Sequence, residues 1–128
     1  MSAIHRFSGN PEDHDYNWEG VEPLVIHTEE VNRILKHVLV GPNDDAPNFV
    51  IRYFHVPVGD NTFYDQHPHE HGMVILHGKA KIQIKDDFYE LGPLDAVFVS
   101  GNDIHQLTNI GDTPLGFLCV ITRQAEYK

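Results

Sequence analysis

The amino-acid sequence predicts a single all-β domain, either a sandwich or a barrel. From residue 49 onward, short runs rich in β-branched and aromatic residues alternate with turn sequences about every ten residues, a spacing typical of such folds. The runs cover residues 49–56, 62–67, 73–76, 79–84, 88–91, 96–99, 104–108 and 115–122. The length of 128 residues fits one domain with one hydrophobic core, and no tandem repeat or low-complexity tract divides it.

The chain before these runs gives weaker signals. Residues 1–19 are polar and rich in turn formers, which indicates an irregular arm, and Trp18 is the side chain expected to fix that arm to the domain. A strand is predicted within residues 21–27. Residues 31–40 fit both a helical stripe and a strand-like alternation, so periodicity alone does not decide between them. Residues 41–47 read as a turn-rich loop.

Composition excludes several classes of partner. Asp and Glu number 19 against 9 for Lys and Arg, so the formal charge is −10. Proteins that bind nucleic acids or anionic membranes neutralise phosphates with cationic side chains, so we expect neither partner here. No apolar run is long enough to cross a bilayer or to act as a signal peptide, and the single cysteine, Cys119, excludes an intramolecular disulfide. We therefore expect a cytoplasmic protein.

The strongest chemical signal is a histidine cluster within residues 63–78, which hold four of the ten histidines. Alternate positions in this stretch carry Asp65, His67, His69 and His71. On a straight strand these four side chains would form a row about 20 Å long on one face. One ion cannot collect such a row, because metal–ligand bonds are only about 2.0–2.2 Å long. The chain must therefore bend if these residues share a metal ion.

Pro68 is placed to make that bend, because it fixes φ and interrupts strand pairing. We expect Asp65 and His67 on one strand, a turn at residues 68–70, and His71 at the start of the next strand. That arrangement leaves His69 on the turn, beside the ligands or on the surface. The alternative is a histidine-rich surface loop that binds no metal.

A second stretch, residues 91–109, reads as turn, strand, turn and strand with a lone histidine, His105. Together the two stretches resemble the two motifs of the cupin superfamily. The first motif has a pair of histidines two apart, then Glu or Gln, then a glycine after six more residues; His71 and Gly78 keep that spacing, with His71 in place of Glu or Gln. In the second motif the metal ligand corresponds to His105 and the closing asparagine to Asn109.

The resemblance is closest to small single-domain bacterial cupins and covers roughly residues 20–123, between the arm 1–19 and a tail at 124–128. It implies a double-stranded β-helix, the jelly-roll barrel of the cupins, in which inward side chains meet at the centre. It also favours a strand for the second half of residues 31–40. In cupins of this kind, four histidines hold a divalent metal, often manganese.

Transferred by motif position, the resemblance supplies the metal ligands His67, His71 and His105, and Asp65, two residues before His67, is the fourth candidate ligand. Asp65 is a departure, because these cupins commonly have histidine there and some relatives have Glu. The sequence leaves open whether Asp65 or His69 completes the set. Three imidazoles and one carboxylate suit a single divalent transition metal, with manganese or iron favoured and zinc or nickel as further candidates.

Two other residues are candidates for catalysis. Arg52 interrupts an apolar run, and burying a guanidinium without partners is costly. It either lines a polar cavity, where it would hold an anionic substrate group, or forms a structural ion pair at the barrel rim. Cys119 is either a small buried hydrophobe or a thiol near the metal that acts on a sulfur-bearing group. The second interpretation draws on the resemblance, since some cupins with an acidic residue at the Asp65 position are methylsulfurylases acting on methylthioxylulose 5-phosphate.

These patterns favour a metal-dependent oxygenase, isomerase or lyase that acts on a small carbonyl, enediol or acid by Lewis-acid or dioxygen chemistry. One alternative is a module that binds a metal or a sugar without catalysis. Another is a methylthio-sugar-phosphate sulfurylase or lyase that uses Cys119. The fold does not decide among them, because it supports many chemistries. By analogy with small cupins, which often pair through their sheets, we expect a homodimer with a small-molecule substrate.

Overall fold

The computed structural model describes residues 2–126, and the side chains of residues 2–125. The strands in this part of the chain are β1 (Leu24–Ile26), β2 (Ile34–Val40), β3 (Phe49–Val56), β4 (His71–His77), β5 (Ala80–Ile84), β6 (Asp87–Leu91), β7 (Ala96–Val99), β8 (His105–Asn109) and β9 (Leu115–Thr122). Short 3₁₀ turns cover Pro11–Asp13 and Pro42–Asp44, and a one-turn helix, α1 (Arg123–Glu126), follows β9. No helix in the described part is long and apolar enough to cross a membrane. The division into arm, barrel and tail stays a prediction, and residues 1, 127 and 128 lie outside the described residues.

Two sheets form the domain. The larger sheet has the strand order β1-β2-β3-β9-β4-β7, and the smaller sheet has the order β6-β5-β8. Every pairing within them is antiparallel. The last strand, β9, lies between β3 and β4, so the end of the chain completes the centre of the larger sheet. The predicted all-β fold, a double-stranded β-helix, is confirmed.

In the ambiguous segment 31–40, residues Ile34–Val40 form the strand β2, so the strand predicted for its second half is confirmed and the helical alternative is wrong. Pairing with β3 decides the outcome, because cross-strand packing overrides a weak local preference. Ile34 and Val38 belong to the core or pack against it, and Lys36 reaches the interior on the same face. The alternating pattern was therefore the correct one.

The predicted strand at 62–67 is not a regular strand. Isolated bridges join this part of the chain to β8, one of them between Asp65 and His105. Just before that bridge, the backbone N–H of Tyr64 donates to the carboxylate of Glu30 at 3.0 Å. The Glu30 carboxylate thus competes with β8 for a backbone N–H of this segment. Pairing with β8 is therefore interrupted at Tyr64 and resumes for one residue at Asp65.

The core lies between the sheets. Its buried apolar side chains include Val50, Val56, Ile75, Leu115 and Phe117 from the larger sheet, and Ala80, Ile82 and Leu107 from the smaller one. Because strand side chains alternate between faces, Arg52 and Cys119 also point inward, between these apolar neighbours. These two polar side chains therefore lie within the apolar layer between the sheets.

The N-terminal arm lies against the outer face of the larger sheet. Tyr16 stacks on His77 with ring centroids 4.2 Å apart, and Trp18 packs against Tyr53 and His37 at 5.1 and 5.7 Å. Tyr53 is fully buried beneath these rings although it points away from the core. Trp18 thus fixes the arm to the domain, as the sequence predicted.

Candidate metal centre

A cavity of about 280 Å³ lies between the sheets. The six site residues predicted from the sequence all line it: Arg52, Asp65, His67, His71, His105 and Cys119. Apolar side chains such as Phe54, Phe117 and Leu107 form much of the remaining wall. Ligand pockets are typically about 300–1,000 Å³, so this cavity lies just below that range and suits only a small molecule.

The backbone brings residues 65–71 and residue 105 together through one bridge and one bend. Asp65 and His105 exchange both backbone hydrogen bonds, at 3.0 and 2.9 Å, so their side chains stand opposite each other. The chain bends at Pro68 and His69, and β4 begins at His71. The predicted turn after His67 and the predicted start of the next strand at His71 are both confirmed.

The rings of the three predicted histidine ligands converge in the cavity. Ring centroids lie 5.4 Å apart for His67 and His71, 5.5 Å for His67 and His105, and 4.7 Å for His71 and His105. Imidazoles bound to one octahedral ion at about 2.1 Å have ring centroids about 4.6 Å apart when cis and about 6.4 Å apart when trans. The observed separations fall within that range.

His69 lies beside this group, which is one of the two places that the sequence left open for it. Its ring stacks on His67 at 4.6 Å and lies 4.8 Å from the ring of His71. One ligand nitrogen from each of these three histidines lies within 4.8 Å of the others. The backbone of His69 is on the bend, as expected, but stacking turns its half-buried side chain into the cavity. These three histidines form a group that can hold a metal ion, so His69 stays a candidate for the place that the sequence left open between it and Asp65.

Asp65 stands at the edge of the same group. Its Oδ2 lies 3.5 Å from Nε2 of His67, and its side chain is 41% exposed. Two ligands of one octahedral ion are separated by about 3.0 Å when cis and about 4.2 Å when trans, so this spacing suits a shared ion better than a direct hydrogen bond. Both Asp65 and His69 therefore remain available to complete the set.

The hydrogen bonds of His105 and His71 leave one nitrogen of each ring for a ligand. Nδ1 of His105 lies 2.9 Å from the carbonyl of Asp103, so it carries the proton and Nε2 carries the lone pair. Nδ1 of His71 lies 3.3 Å from Sγ of Cys119, and its Nε2 is buried with no hydrogen-bond partner among the described residues. Such an orphaned buried nitrogen is what a metal ligand looks like without its ion.

Electrostatics keep His71 neutral. Burial, with smaller contributions from neighbouring histidines and from Arg52, lowers the pKa of His71 to about 3. Metal ligation requires an unprotonated nitrogen, so this ring needs no proton release at neutral pH to bind an ion. The residues present therefore fit a divalent metal.

Arg52 and Cys119 meet on the cavity wall. Nη2 of Arg52 donates to Sγ of Cys119 at 3.1 Å, and the guanidinium lies 4.9 Å from the ring centre of Phe54. Cys119 is 1% exposed and also contacts His71. Arg52 thus lines the cavity, and Cys119 is both buried and part of the polar site.

Sequence reasoning missed Lys36 as a cavity residue and left open whether His69 enters the cavity. Three histidines at alternate positions around a proline are a signal for His69, but the direction of its side chain depends on stacking with His67. Lys36 became assignable to the inner face only once segment 31–40 was known to be a strand. No local pattern identified it beforehand.

The fold and the histidine cluster define a class of protein. Residues 52–121 match the family model described as a cupin domain, which is more than half of the chain. Together with the two antiparallel sheets, this match shows that the chain belongs to the cupin family, as the motifs predicted.

Individual relatives extend the similarity over most of the chain. Over 120 residues the chain is 29% identical to 1-methylthio-D-xylulose 5-phosphate methylsulfurylase of Rhodospirillum rubrum. The aligned region covers 91% of this chain and 75% of that protein. A solved cupin-2 domain from Rhodospirillum rubrum has 30% identity and a TM-score of 0.78, covering 84% of this chain and 73% of that one. A solved cupin 2 domain-containing protein from Halorhodospira halophila has 34% identity and a TM-score of 0.67, covering 85% and 70%.

Proposed function

We propose that this protein is a divalent-metal-dependent enzyme acting on a small oxygenated substrate, namely a carbonyl compound, an enediol or an acid. The observation that carries the proposal is the convergence of imidazoles in one cavity, with Nε2 of His71 buried and unpartnered among the described residues. A buried polar atom without a partner is unfavourable, and a bound cation removes that cost.

In this proposal His67, His71 and His105 hold the ion, and Asp65 or His69 completes the set. Imidazole and carboxylate ligands favour manganese or iron and also accept zinc or nickel. Once bound, the ion supplies Lewis acidity toward a carbonyl or enediolate oxygen, or a site for dioxygen activation.

Arg52 is the proposed substrate-binding residue. Its guanidinium faces the cavity beside Phe54 and is always charged, so it suits a carboxylate or phosphate group of the substrate. The apolar wall excludes water around that contact, which strengthens it. The reacting end of the substrate would then face the histidines, and its anionic end would face Arg52.

A sulfur-transferring activity is the second candidate. It is supported by the similarity to a protein named as a methylsulfurylase and by the presence of Cys119 in the cavity wall. Arg52 donates a hydrogen bond to this sulfur, which fixes the position of the sulfur in the cavity wall. A metal-binding or sugar-binding module without catalysis is the third candidate.

Metal content tests the proposed site. Elemental analysis of the purified protein should find about one divalent ion per chain, and a triple replacement of His67, His71 and His105 by Ala should abolish it. His27→Ala is the matched control, because His27 is exposed and outside the cavity. Retention of the ion by the triple variant would refute the site.

Turnover separates the three candidates. Oxygen uptake or product formation with small carbonyls, enediols and acids supports the first, and thiol release from methylthio sugar phosphates supports the second. Arg52→Ala should weaken substrate binding even when saturating Mn(II) keeps about one ion bound per chain. Full metal occupancy without turnover of any of these substrates would favour the binding module and contradict the enzymatic proposal.

A further inference from the structure

The sulfur of Cys119 lies between a cation and a metal-ligand candidate. Arg52 donates from Nη2 to Sγ at 3.1 Å, and Nδ1 of His71 lies 3.3 Å from the same sulfur. Three side chains from three neighbouring strands thus form a continuous chain of contacts. His71 is 94% buried, since 6% of its surface is exposed, and its other nitrogen has no hydrogen-bond partner within the described residues.

Sheet register fixes this arrangement. Arg52 on β3 pairs directly with Cys119 on β9, and Cys119 pairs in turn with Met73 on β4. His71 lies two residues before Met73, so its side chain points to the same inner face. Directly opposed and diagonal neighbours on one face of a sheet are within reach of each other. The contact therefore follows from backbone pairing between central strands.

The contact determines which nitrogen of His71 faces the cavity. Histidines that bind a metal usually donate their second ring N–H to an acceptor, which holds the tautomer and the ring orientation. His105 meets this requirement with the carbonyl of Asp103 at 2.9 Å. For His71, the atom in the equivalent place is Sγ of Cys119.

We infer that Cys119 is a positioning residue for the metal ligand His71, with its sulfur accepting from Nδ1 and held in place by Arg52. This inference rests on the metal site proposed above. It assigns Cys119 a function that does not require an accessible or nucleophilic thiol. The sulfur keeps Nε2 directed at the ion, and Arg52 keeps the sulfur from rotating away.

Metal affinity of two Cys119 variants tests the inference. We expect Cys119→Ala to weaken Mn(II) affinity by about 10–100-fold, the loss usually seen when an outer partner of a ligand is removed. Cys119→Ser should stay within about threefold of wild type, because its hydroxyl oxygen also accepts a hydrogen bond from Nδ1. Affinity is measured by competition with a chelator, and Co(II) absorption reports whether the ligand geometry has changed.

Ile121→Val is the matched control. Ile121 lies on the same strand and the same face and also lines the cavity, but it offers no hydrogen bond. It should shift the unfolding temperature without altering the Co(II) spectrum. Should Cys119→Ala fail to fold, Arg52→Lys provides a second test, because loss of the guanidinium should also alter the spectrum.

The outcomes separate this inference from the proposed function. Wild-type protein that binds no divalent ion would refute both. Wild-type protein that binds the ion, with Cys119→Ala binding it equally well and with the same spectrum, would refute the positioning role alone. Loss of affinity in Cys119→Ser equal to that in Cys119→Ala would also refute it, because a hydrogen-bond acceptor would then not be the relevant property.

Discussion

At the scale of single residues, the hydrogen bonds of the histidine rings determine which nitrogen of each ring can bind a metal ion. His71 and His105 each use Nδ1 for a contact within the protein, so each leaves Nε2 for the cavity. Asp65 and His69 are the two candidates for the remaining ligand position. They differ in charge, which makes them distinguishable as the ligand that completes the set.

Separate replacement of Asp65 and His69 identifies that ligand. A carboxylate contributes a negative charge toward a divalent ion in a partly dry site, so we expect Asp65→Asn to weaken Mn(II) affinity at least about tenfold. His69→Gln should weaken it less, because the stacked ring then serves mainly to cover the site. Affinity by chelator competition checks both, and a larger loss in His69→Gln would assign the ligand to His69 instead.

The sequence predicted the positions of His67, His71 and His105, and it left open whether His69 lies beside them or on the surface. Ligand spacing and the bend at Pro68 are local properties, so they can be read from the chain. The orientation of His69 depends on a ring-to-ring contact formed only in the folded protein. Likewise, Lys36 belongs to a segment whose structure is decided by pairing with β3.

At the scale of elements, the arm and the larger sheet are held together by aromatic rings and histidines. Nε2 of His77 lies 2.6 Å from the hydroxyl of Tyr53, which donates to it, while Nδ1 donates to the carbonyl of Pro114 at 3.0 Å. Tyr16 stacks on the same ring. Gly116 pairs with His77 across the sheet, and a Cβ on Gly116 would collide with that ring.

Gly116→Ala therefore tests the contact between the arm and the sheet. The added methyl must displace His77 from Tyr53 and Tyr16, so we expect a loss of about 1–3 kcal/mol in the free energy of unfolding. Gly72→Ala is the matched control, because Gly72 is also in a strand and has open space where its Cβ would lie. Urea unfolding of both variants checks this, and equal stability of the two would contradict it.

Acid should weaken the same contact. Burial is the largest cause that lowers the pKa of His37, His55 and His77 in the folded state. A histidine with a lowered folded-state pKa contributes stability that is present above the unfolded value of 6.5 and is lost as the pH falls toward the lowered value. Thermal unfolding of metal-free protein should therefore show a falling midpoint below about pH 6.5.

His37→Gln isolates one part of that effect. His37 is 1% exposed, and a glutamine amide can replace its contact with Asn17. Removing one titrating group should reduce the slope of unfolding free energy against pH by up to about 1.4 kcal/mol per pH unit. His5 opposes the trend, because its hydrogen bond to Asp44 raises its pKa, so its contribution is lost as the pH rises. An unchanged slope in His37→Gln would contradict the account.

At the scale of the whole molecule, the antiparallel topology follows from strand and turn patterns that the sequence displays. The irregular course of residues 62–67 does not, because the side chain of Glu30 interrupts the ladder from a distant part of the chain. The cytoplasmic location and the homodimer stay predictions. Exposed apolar residues on the outer face of the larger sheet, Phe49, Phe98 and Val120, are consistent with pairing through that face.

Light scattering after size-exclusion chromatography tests the predicted homodimer. Phe98 is 63% exposed and lies across Gly72 on the sheet, so Phe98→Asp should convert the dimer to a monomer by placing a charge in the apolar face. Leu94→Asp is the control, since Leu94 is 79% exposed in a turn outside that face. A monomeric wild-type protein at micromolar concentration would contradict the prediction.

Anomalous X-ray diffraction from crystals grown with Mn(II) shows where the ion binds and which atoms hold it. We expect one anomalous peak in the cavity, with imidazole nitrogens of His67, His71 and His105 about 2.0–2.3 Å away. We also expect the coordinating atom of His71 to be Nε2, since Nδ1 contacts Cys119. A peak elsewhere, or rings of these histidines turned away from the ion, would contradict the proposed metal site.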